Sequence, residues 1–204
     1  DAEEWRELKR QKRAHPDRDR KPEFQIKEFD SLLAGENGIV VIKTNLEDPN
    51  PALRDFVAFR IVEDSHPLQK SKYRLWPLYN FAVAIDDYRL GVTHVLRGKD
   101  HLNNTEKQKW IYKYMGWEVP EFIHYGLVSI PETNLKTSKI RQSISDGEYS
   151  GWDDCRIATI KALARRGYSP EVFSKYWESS GLKEVDIKFS WQNFDAMNKD
   201  IIDS

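Results

Sequence analysis

Hydrophobic positions are unevenly spread along the first third of the chain. Residues 1–30 carry few apolar side chains, whereas residues 38–46 and 56–62 are rich in β-branched and aromatic residues. Runs of that composition, bounded by turn residues, are typical of β-strands, so two strands are predicted there. The polar stretch at residues 66–72 follows, and its composition predicts a domain boundary.

The pattern changes from Tyr73 onward, where apolar runs alternate with one long helical segment. Residues 78–85 are almost continuously apolar and residues 93–98 form a shorter apolar run, which predicts two buried strands. A further strand is predicted at residues 124–130. Strands that alternate with a helix in this way indicate an α/β fold with a parallel sheet.

The helical segment between these strands has candidate signals at both ends. Asn103, Asn104 and Thr105 are possible N-caps, and Gly116 is a possible end. The predicted inward face carries four large side chains, namely Trp110, Ile111, Tyr114 and Met115.

The last part of the chain is predicted to be helical after a loop at residues 131–150. Gly-Trp-Asp-Asp at residues 151–154 would place two acids in the first turn of a helix, next to Cys155. Ser169 and Ser190 are predicted to cap two further helices.

The composition narrows the class of protein. Charged residues make up 32% of the chain, aromatic residues 12%, and the net charge is -1, which is typical of soluble globular proteins. Cys155 is the only cysteine, so a disulfide within the chain and a cysteine-based zinc site are excluded, and a reducing cytoplasm is expected. No apolar run approaches the roughly 20 residues that a membrane helix needs. Because the chain starts with Asp1, we expect a fragment of a longer protein.

A basic stretch lies near the start of the chain. Between Lys9 and Lys21 there are seven basic residues and two acidic ones. Such a local surplus can follow a phosphate backbone. The alternative is a solvated helix followed by a loop, since charge runs often serve only solubility.

Two lysines separated by small hydroxyl residues stand in the predicted loop. Lys136-Thr137-Ser138-Lys139 suits a polyphosphate, because lysine is a compact charge and a loop can bring it to charge that develops in a transition state. A lysine-rich surface loop without function is the alternative.

Polar residues at the predicted strand ends are candidates for ligand binding. Arg97 offers a planar fork for a carboxylate, or it forms a structural pair with an aspartate. Tyr79 can form a hydrogen bond to a substrate through its hydroxyl, or it can simply pack in the core. Asn103 can contact a ligand or cap the helix. Asp86-Asp87 is typical of a turn. The histidines 94, 101 and 124 lack metal-ligand spacing, so no metal site is predicted.

Several separated motifs and their order along the chain resemble those of the glutamyl-tRNA synthetase family of the archaeal and eukaryotic type. The resemblance extends over essentially all 204 residues. The central motifs are Trp-Pro-Leu-Tyr-Asn-Phe-Ala at 76–82, Asp-Asp at 86–87, the run at 91–101, Lys-Thr-Ser-Lys at 136–139 and Gly-Trp-Asp-Asp at 151–154. The upstream runs at 3–9 and 50–60 resemble the archaeal branch.

The resemblance implies a fold class and a division into domains. It implies an α/β chain holding the second half of a Rossmann-like class I synthetase catalytic domain, at residues 73–150. Part of an inserted acceptor-binding α+β domain would precede it at 1–72, and an α-helical stem-contact region would follow at 151–204. The sequence contains no His-x-Gly-His, so the half with the HIGH motif and the anticodon-binding domain are expected outside this chain.

The resemblance also implies an activity and its residues. The family activates glutamate with ATP to glutamyl-adenylate and transfers it to the 3′ end of tRNA(Glu). Lys136 and Lys139 match the lysines of the KMSKS loop, although Thr137 and Ile140 depart from that pattern. The implied catalytic residues are Lys136 and Lys139; ATP would contact Asp100, His101, Ser138 and Lys139; glutamate would contact Tyr79 and Arg97; and tRNA would contact Asn103, Lys9, Arg10 and Arg13.

The resemblance implies tRNA(Glu), glutamate and other synthetase-associated proteins as partners, and ATP as a substrate together with Mg²⁺. It implies no zinc site in this chain and no membrane partner. Three alternatives stay open, namely a glutaminyl-tRNA synthetase, a non-catalytic tRNA-binding fragment and a truncated tRNA-modifying relative. The positive charge of Arg97 argues against a pocket for the neutral glutamine side chain. The chain by itself is expected to be catalytically inactive.

Overall fold

The computed structural model describes residues 2–131, 133 and 135–204. These residues divide into two compact units, Asp1–Ile123 and His124–Ser204. Among the described residues, no helix is both long and apolar enough to cross a membrane.

The first unit begins with helices and a small antiparallel sheet. Helix α1 (Ala2–Arg10), a 3₁₀ helix (Pro16–Asp19) and α2 (Pro22–Leu33) precede three strands, β1 (Ile39–Ile42), β2 (Phe56–Ile61) and β3 (Leu75–Pro77). The strands pair in the order β1-β2-β3, with an irregularity between Val40 and Val41. The two strands predicted at 38–46 and 56–62 are confirmed.

The second half of this unit carries the residues that the sequence singled out. It consists of α3 (Tyr79–Arg89), β4 (His94–Gly98), a 3₁₀ helix (Lys99–His101), α4 (Leu102–Met115) and the start of β5 (Glu121–Tyr125). Strand β4 pairs with β5. The strand predicted at 93–98 and the helix that ends at Gly116 are confirmed, and Gly116 adopts the left-handed conformation with φ 66°. The predicted burial of this strand is wrong for His94 and Leu96, which are exposed, and holds only for Arg97 and Gly98.

The buried strand predicted at residues 78–85 is wrong, because this segment forms helix α3. A continuous apolar run does not distinguish a buried helix from a strand. In the helix, Phe81 and Ile85 are four positions apart and both pack against the core cluster that contains Phe56 and the fully buried Ala84.

Helix α4 begins earlier than its candidate caps suggested. His101 occupies the N-cap position, so Asn103, Asn104 and Thr105 lie in the first turn and do not cap the helix. The inward residues are Ile111 and Tyr112, whereas Tyr114 and Met115, which were predicted to face the core, are exposed.

The 3₁₀ helix near the start of the chain is fixed by an ion pair between the part-buried Arg18 and the buried Asp55. Arg18 Nε donates to Asp55 Oδ2 at 2.7 Å, and its NH2 donates to Asp55 Oδ1 at 3.2 Å. The backbone N–H of Thr44 donates to the same carboxylate at 2.7 Å. Hydrogen bonding to Asp55 also raises the pKa of the Arg18 guanidinium.

The second unit contains the end of β5, then β6 (Val128–Ser129), α5 (Thr137–Ser145), α6 (Ile160–Arg165), α7 (Pro170–Ser180), β7 (Ile187–Lys188) and α8 (Trp191–Ile202). Strands β6 and β7 pair in parallel. The single strand predicted at 124–130 is divided at Gly126. A Cβ at Gly126 would lie 2.1 Å from the carbonyl oxygen of Val185. The two backbone segments therefore approach too closely for any residue other than glycine at position 126.

Serine caps define the last helices, as predicted. Ser169 accepts from the N–H of Glu171, and Ser190 accepts from that of Asn193. The helix predicted to start at residues 152–154 is wrong, because α6 begins only at Ile160 and is capped by Thr159. Asp153, Asp154 and Cys155 instead lie in the preceding turn.

Candidate active site

Tyr79 and His101 lie side by side in the first unit. Tyr79 opens α3 and is half exposed, and its Oη lies 3.4 Å from Nδ1 of His101. The two ring centroids are 5.8 Å apart. The structure therefore brings a predicted glutamate contact next to a predicted ATP contact, although they are 22 residues apart in the chain.

Arg97 is buried near the end of β4. Its Nη2 donates to Thr105 Oγ1 and, at 3.0 Å, to Gln108 Oε1, and its guanidinium carbon lies 4.9 Å from the centre of the Phe122 ring. Its Nε is buried and has no hydrogen-bond partner among the described residues. A buried donor left in this state is unfavourable, and an anionic oxygen would satisfy it.

The acid in the field of Arg97 is Asp87, which lies outside the motif at residues 96–101 that suggested a structural Arg–Asp pair. Burial raises the pKa of the Asp87 carboxyl, Arg97 opposes that rise, and Asp86 adds to it. Asp87 therefore lies in the field of Arg97, but Arg97 donates hydrogen bonds to the neutral side chains of Thr105 and Gln108.

Asp100 and Asn103 flank His101 on exposed positions. Asp100 Oδ2 lies 3.8 Å from His101 Nε2, and the Asp100 side chain is 61% exposed. Asn103 Oδ1 accepts a hydrogen bond from Asn50 Nδ2 at 2.8 Å. Asn103 is thus held by the turn that follows β1, and it remains on the surface where a macromolecule can reach it.

The basic stretch forms less of a cationic surface than its sequence suggests. Arg10 pairs with Glu7 at 2.5 Å, and Arg13 NH1 donates to Gln11 at 3.4 Å. Arg20 pairs with Asp17 at 2.6 Å. The acid pairs of Arg10 and Arg20, together with the pair of Arg18 described above, neutralise much of the local positive charge, whereas the amide of Gln11 leaves the charge of Arg13 in place.

Lys9 differs from these arginines because it lies beside other cations. Burial lowers the pKa of the Lys9 amine, and the nearby charge of Lys107 lowers it further, against the opposing effect of Asp55. Its Nζ lies 5.2 Å from the centre of the Trp5 ring. Burial also lowers the pKa of Lys107 on α4.

Lys107 and Arg54 are residues that the sequence reasoning missed. Arg54 is buried and donates to the carbonyl oxygens of Lys9 and Arg10, both at 3.3 Å, so it closes the end of α1. Lys107 lies four positions after Asn103, on the same side of α4. That spacing was a signal for grouping Lys107 with Asn103.

The predicted lysine loop contains a helix in the second unit. Residues 131–150 were predicted to be a loop, which is wrong for Thr137–Ser145, the residues of α5. Glu132 and Asn134 lie outside the described residues. Ile140 and Ile144, four positions apart, pack with Ile157 and stabilise this helix, and that apolar spacing was the signal overlooked.

The candidate lysines are at the start of α5. Lys136 is the N-cap residue, and Thr137, Ser138 and Lys139 form the exposed first turn. The first N–H groups of a helix have no partners within it, and the helix dipole places partial positive charge there. Helix start and lysines together make this end of α5 suited to a phosphate group.

The Gly-Trp-Asp-Asp segment anchors this helix. Trp152 packs in the cluster that contains Ile140. Asp154 accepts from Ser150 N at 2.9 Å and from Arg156 Nε at 2.9 Å. Hydrogen bonds from Arg156, followed by those from the backbone of Ser150 and Arg156, hold the pKa of the Asp154 carboxyl far below its usual range. The Asp154 carboxylate thus holds residues 150–156 in a turn, and these residues do not start a helix.

Comparison with known proteins identifies the class to which this fold and these residues belong. The family described as "tRNA synthetases class I (E and Q), catalytic domain" matches residues 1–204, so the chain belongs to that family. Solved structures agree on the fold. The glutamate-tRNA synthetase of Elizabethkingia anophelis matches 90% of this chain with a TM-score of 0.52 and 21% sequence identity. The resemblance and fold class expected from the sequence are confirmed.

The curated relatives narrow the comparison within that family. A glutamate–tRNA ligase of Thermoplasma volcanium is 48% identical over 97% of the chain. Glutamate–tRNA ligases of Methanococcus maripaludis strain C7 and Methanopyrus kandleri are 49% and 44% identical over 100% of it. The chain spans only 37% of the length of the first two relatives and 36% of that of the third.

Proposed function

We propose that this chain is the part of a glutamate–tRNA ligase that contributes the glutamate contacts and the lysine helix. Support comes from the relatives just described and from the placement of Lys139. That side chain is exposed in the first turn of α5, while the next residue, Ile140, is buried and fixes the helix. In this proposal residues 1–72 belong to the acceptor-stem domain, 73–150 to the catalytic domain and 151–204 to the stem-contact region.

The proposed first step is the activation of glutamate. A carboxylate oxygen of glutamate forms a bond to the α-phosphorus of ATP, and the bond from that phosphorus to the β-phosphate oxygen breaks. Negative charge then grows on the departing pyrophosphate. Lys136 and Lys139, together with the N–H groups at the start of α5, would stabilise that charge, with Ser138 as a further donor.

Glutamate recognition is assigned to Tyr79 and Arg97. The guanidinium of Arg97 provides a positive charge that attracts a carboxylate, and Tyr79 offers an exposed hydroxyl. Asp100 and His101 would contact ATP. Mg²⁺ would accompany ATP, bound through the phosphates of the nucleotide.

Transfer of glutamate to the 3′ end of tRNA(Glu) completes the proposed reaction. Asn103, Lys9, Arg10 and Arg13 would contact the RNA, and Lys107 joins them because of its place on α4. We further propose that the ligase works in the cytoplasm, together with other synthetase-associated proteins, and that this chain alone is inactive.

A glutaminyl-tRNA synthetase is the second candidate, since the family covers both amino acids. A buried guanidinium favours an anionic ligand over a neutral amide, which supports glutamate. A non-catalytic tRNA-binding fragment receives less support, because much of the basic stretch is paired with acids. Filter binding of tRNA at increasing salt would reveal such a fragment as steeply salt-dependent binding without any aminoacylation.

Substitution of Lys139 tests the proposal. In the full-length protein with tRNA present, Lys139→Ala should lower glutamate-dependent ATP–pyrophosphate exchange by about 10²–10³-fold, as expected for one transition-state donor. Lys161→Ala removes an exposed lysine of α6 and should leave exchange unchanged. Near-normal exchange by Lys139→Ala would remove Lys139 from the mechanism.

A further inference from the structure

Three side-chain amides connect Arg97 to His101 in one chain of hydrogen bonds. Arg97 Nη2 donates to Gln108 Oε1 at 3.0 Å, and Gln108 Nε2 donates to Asn80 Oδ1 at 3.3 Å. Asn80 Nδ2 donates to Asn104 Oδ1 at 3.1 Å, and Asn104 Nδ2 lies 3.1 Å from His101 Nδ1. Gln108 is 0% exposed, so its amide has no access to water.

The direction of this chain is fixed at its arginine end. A guanidinium can only donate hydrogen bonds, so Gln108 has to turn its oxygen toward Arg97. Its NH₂ group then faces Asn80, which must accept with its oxygen and donate with its nitrogen. Asn104 follows the same rule. The last amide therefore presents an N–H to Nδ1 of His101, and that nitrogen has to accept.

We propose that Gln108 is a positioning residue that, through Asn80 and Asn104, holds His101 as the tautomer with its hydrogen on Nε2. In this tautomer the Nε2 side of the ring is a donor, which suits the anionic oxygen of a phosphate or carboxylate. That the oxygen belongs to ATP rests on the proposed function. The tautomer itself does not, since it follows from contacts within the chain.

A separate contact holds the backbone of His101. Arg97 also donates to Thr105 Oγ1, and the Thr105 hydroxyl donates to the carbonyl oxygen of His101 at 3.4 Å. A reversal of the amide chain should therefore change the tautomer of His101 without displacing the residue. A purely structural role of Gln108 would instead leave the tautomer unaltered.

Gln108→Glu should reverse the direction of the hydrogen bonds beyond residue 108, and the two side chains have almost the same shape. The introduced carboxylate still accepts from Arg97 but can no longer donate to Asn80. Asn80 would turn its NH₂ toward the carboxylate, and Asn104 would turn its oxygen toward His101. Nδ1 of His101 must then carry the hydrogen.

Heteronuclear NMR of the imidazole nitrogens in the full-length protein, with labelled histidine and His101 assigned by substitution, tests this inference. The hydrogen should be on Nε2 in the parent and in Gln25→Glu, which alters an exposed glutamine of α2. It should be on Nδ1 in Gln108→Glu. An unchanged tautomer in Gln108→Glu, or a hydrogen on Nδ1 in the parent, would overturn the proposal.

A second variant decides the matter if Gln108→Glu does not fold. Asn80→Asp keeps the acceptor for Gln108 and reverses only Asn104, so it should also move the hydrogen to Nδ1. In the same samples, glutamate-dependent pyrophosphate exchange should fall about tenfold, the loss expected for one misdirected hydrogen bond. Absence of exchange in the parent would refute the proposed function, whereas normal exchange with an unmoved hydrogen would refute only the role of Gln108.

Discussion

Lys139 and Ile140 are neighbours in the chain, but Lys139 is exposed at the start of α5 and Ile140 is only 5% exposed. The buried isoleucine fixes the helix that presents the lysine. At the position where Ile140 departs from the KMSKS pattern, this chain therefore has an apolar anchor.

Loss of this anchor should loosen α5. Ile140→Ala removes buried methyl groups from the cluster with Ile157 and Ala162, and a change of this kind costs about 2–5 kcal/mol. Hydrogen exchange of peptides that cover α5 should become faster by a corresponding factor, whereas Arg141→Ala, at an exposed position, should not alter it. Unchanged protection in Ile140→Ala would mean that the helix is held elsewhere.

The part-buried Arg18–Asp55 pair should matter far more than the exposed pairs of Arg20. Arg18→Ala leaves the carboxylate of Asp55 buried without its charged partner, which typically costs about 3–5 kcal/mol. Arg20→Ala breaks exposed pairs with Asp17 and Glu28, each typically worth about 0–1 kcal/mol. Urea denaturation of the two variants measures the difference. Equal midpoints would contradict the structural role assigned to Arg18.

Removal of the Lys107 charge should stabilise the fold at neutral pH. Burial lowers the pKa of Lys107 from 10.5, so the folded state binds the proton less well than the unfolded state does. Lys107→Met should raise the denaturation midpoint at pH 7, and this gain should shrink as the pH rises through the lowered pKa toward 10.5. Lys27→Met, at an exposed position of α2, is the control. A gain that does not depend on pH would point to packing in place of charge.

Substitution of the two aspartates of Gly-Trp-Asp-Asp should affect the stability of the surrounding turn very differently. Asp154→Asn weakens the acceptor for Arg156 and Ser150, and hydrogen exchange in residues 148–157 should accelerate. Asp153→Asn alters only an exposed pair with Arg165 and should have little effect. Since the Asp154 pKa is lowered below 3.8, its stabilisation should persist above that pH and be lost as the pH falls through the lowered value. Equal exchange in both variants would contradict this assignment.

The sequence was most informative where a signal is local. Ser169 and Ser190 cap their helices, and Gly116 ends α4, because a cap depends on a few neighbouring residues. The motif order likewise indicated the family, because each motif is a short run that can be read directly from the sequence.

The errors fall where tertiary packing decides. Residues 78–85 have an apolar run that suits either a strand or a helix, and in the helix this run packs against the cluster that contains Phe56, Ile111 and Tyr112. The acids at 153–154 are typical of a helix start, but Asp154 accepts hydrogen bonds from Ser150 and Arg156 in a turn. The amide chain from Arg97 to His101 joins residues of α3, β4 and α4, and no spacing in the sequence indicates it.

The amino-acid dependence of ATP–pyrophosphate exchange by the full-length protein, with tRNA present, tests the central claim most directly. A ligase whose buried Arg97 recognises a carboxylate should show exchange with glutamate and little with glutamine. Exchange that depends on glutamine, or no exchange with either amino acid, would contradict it.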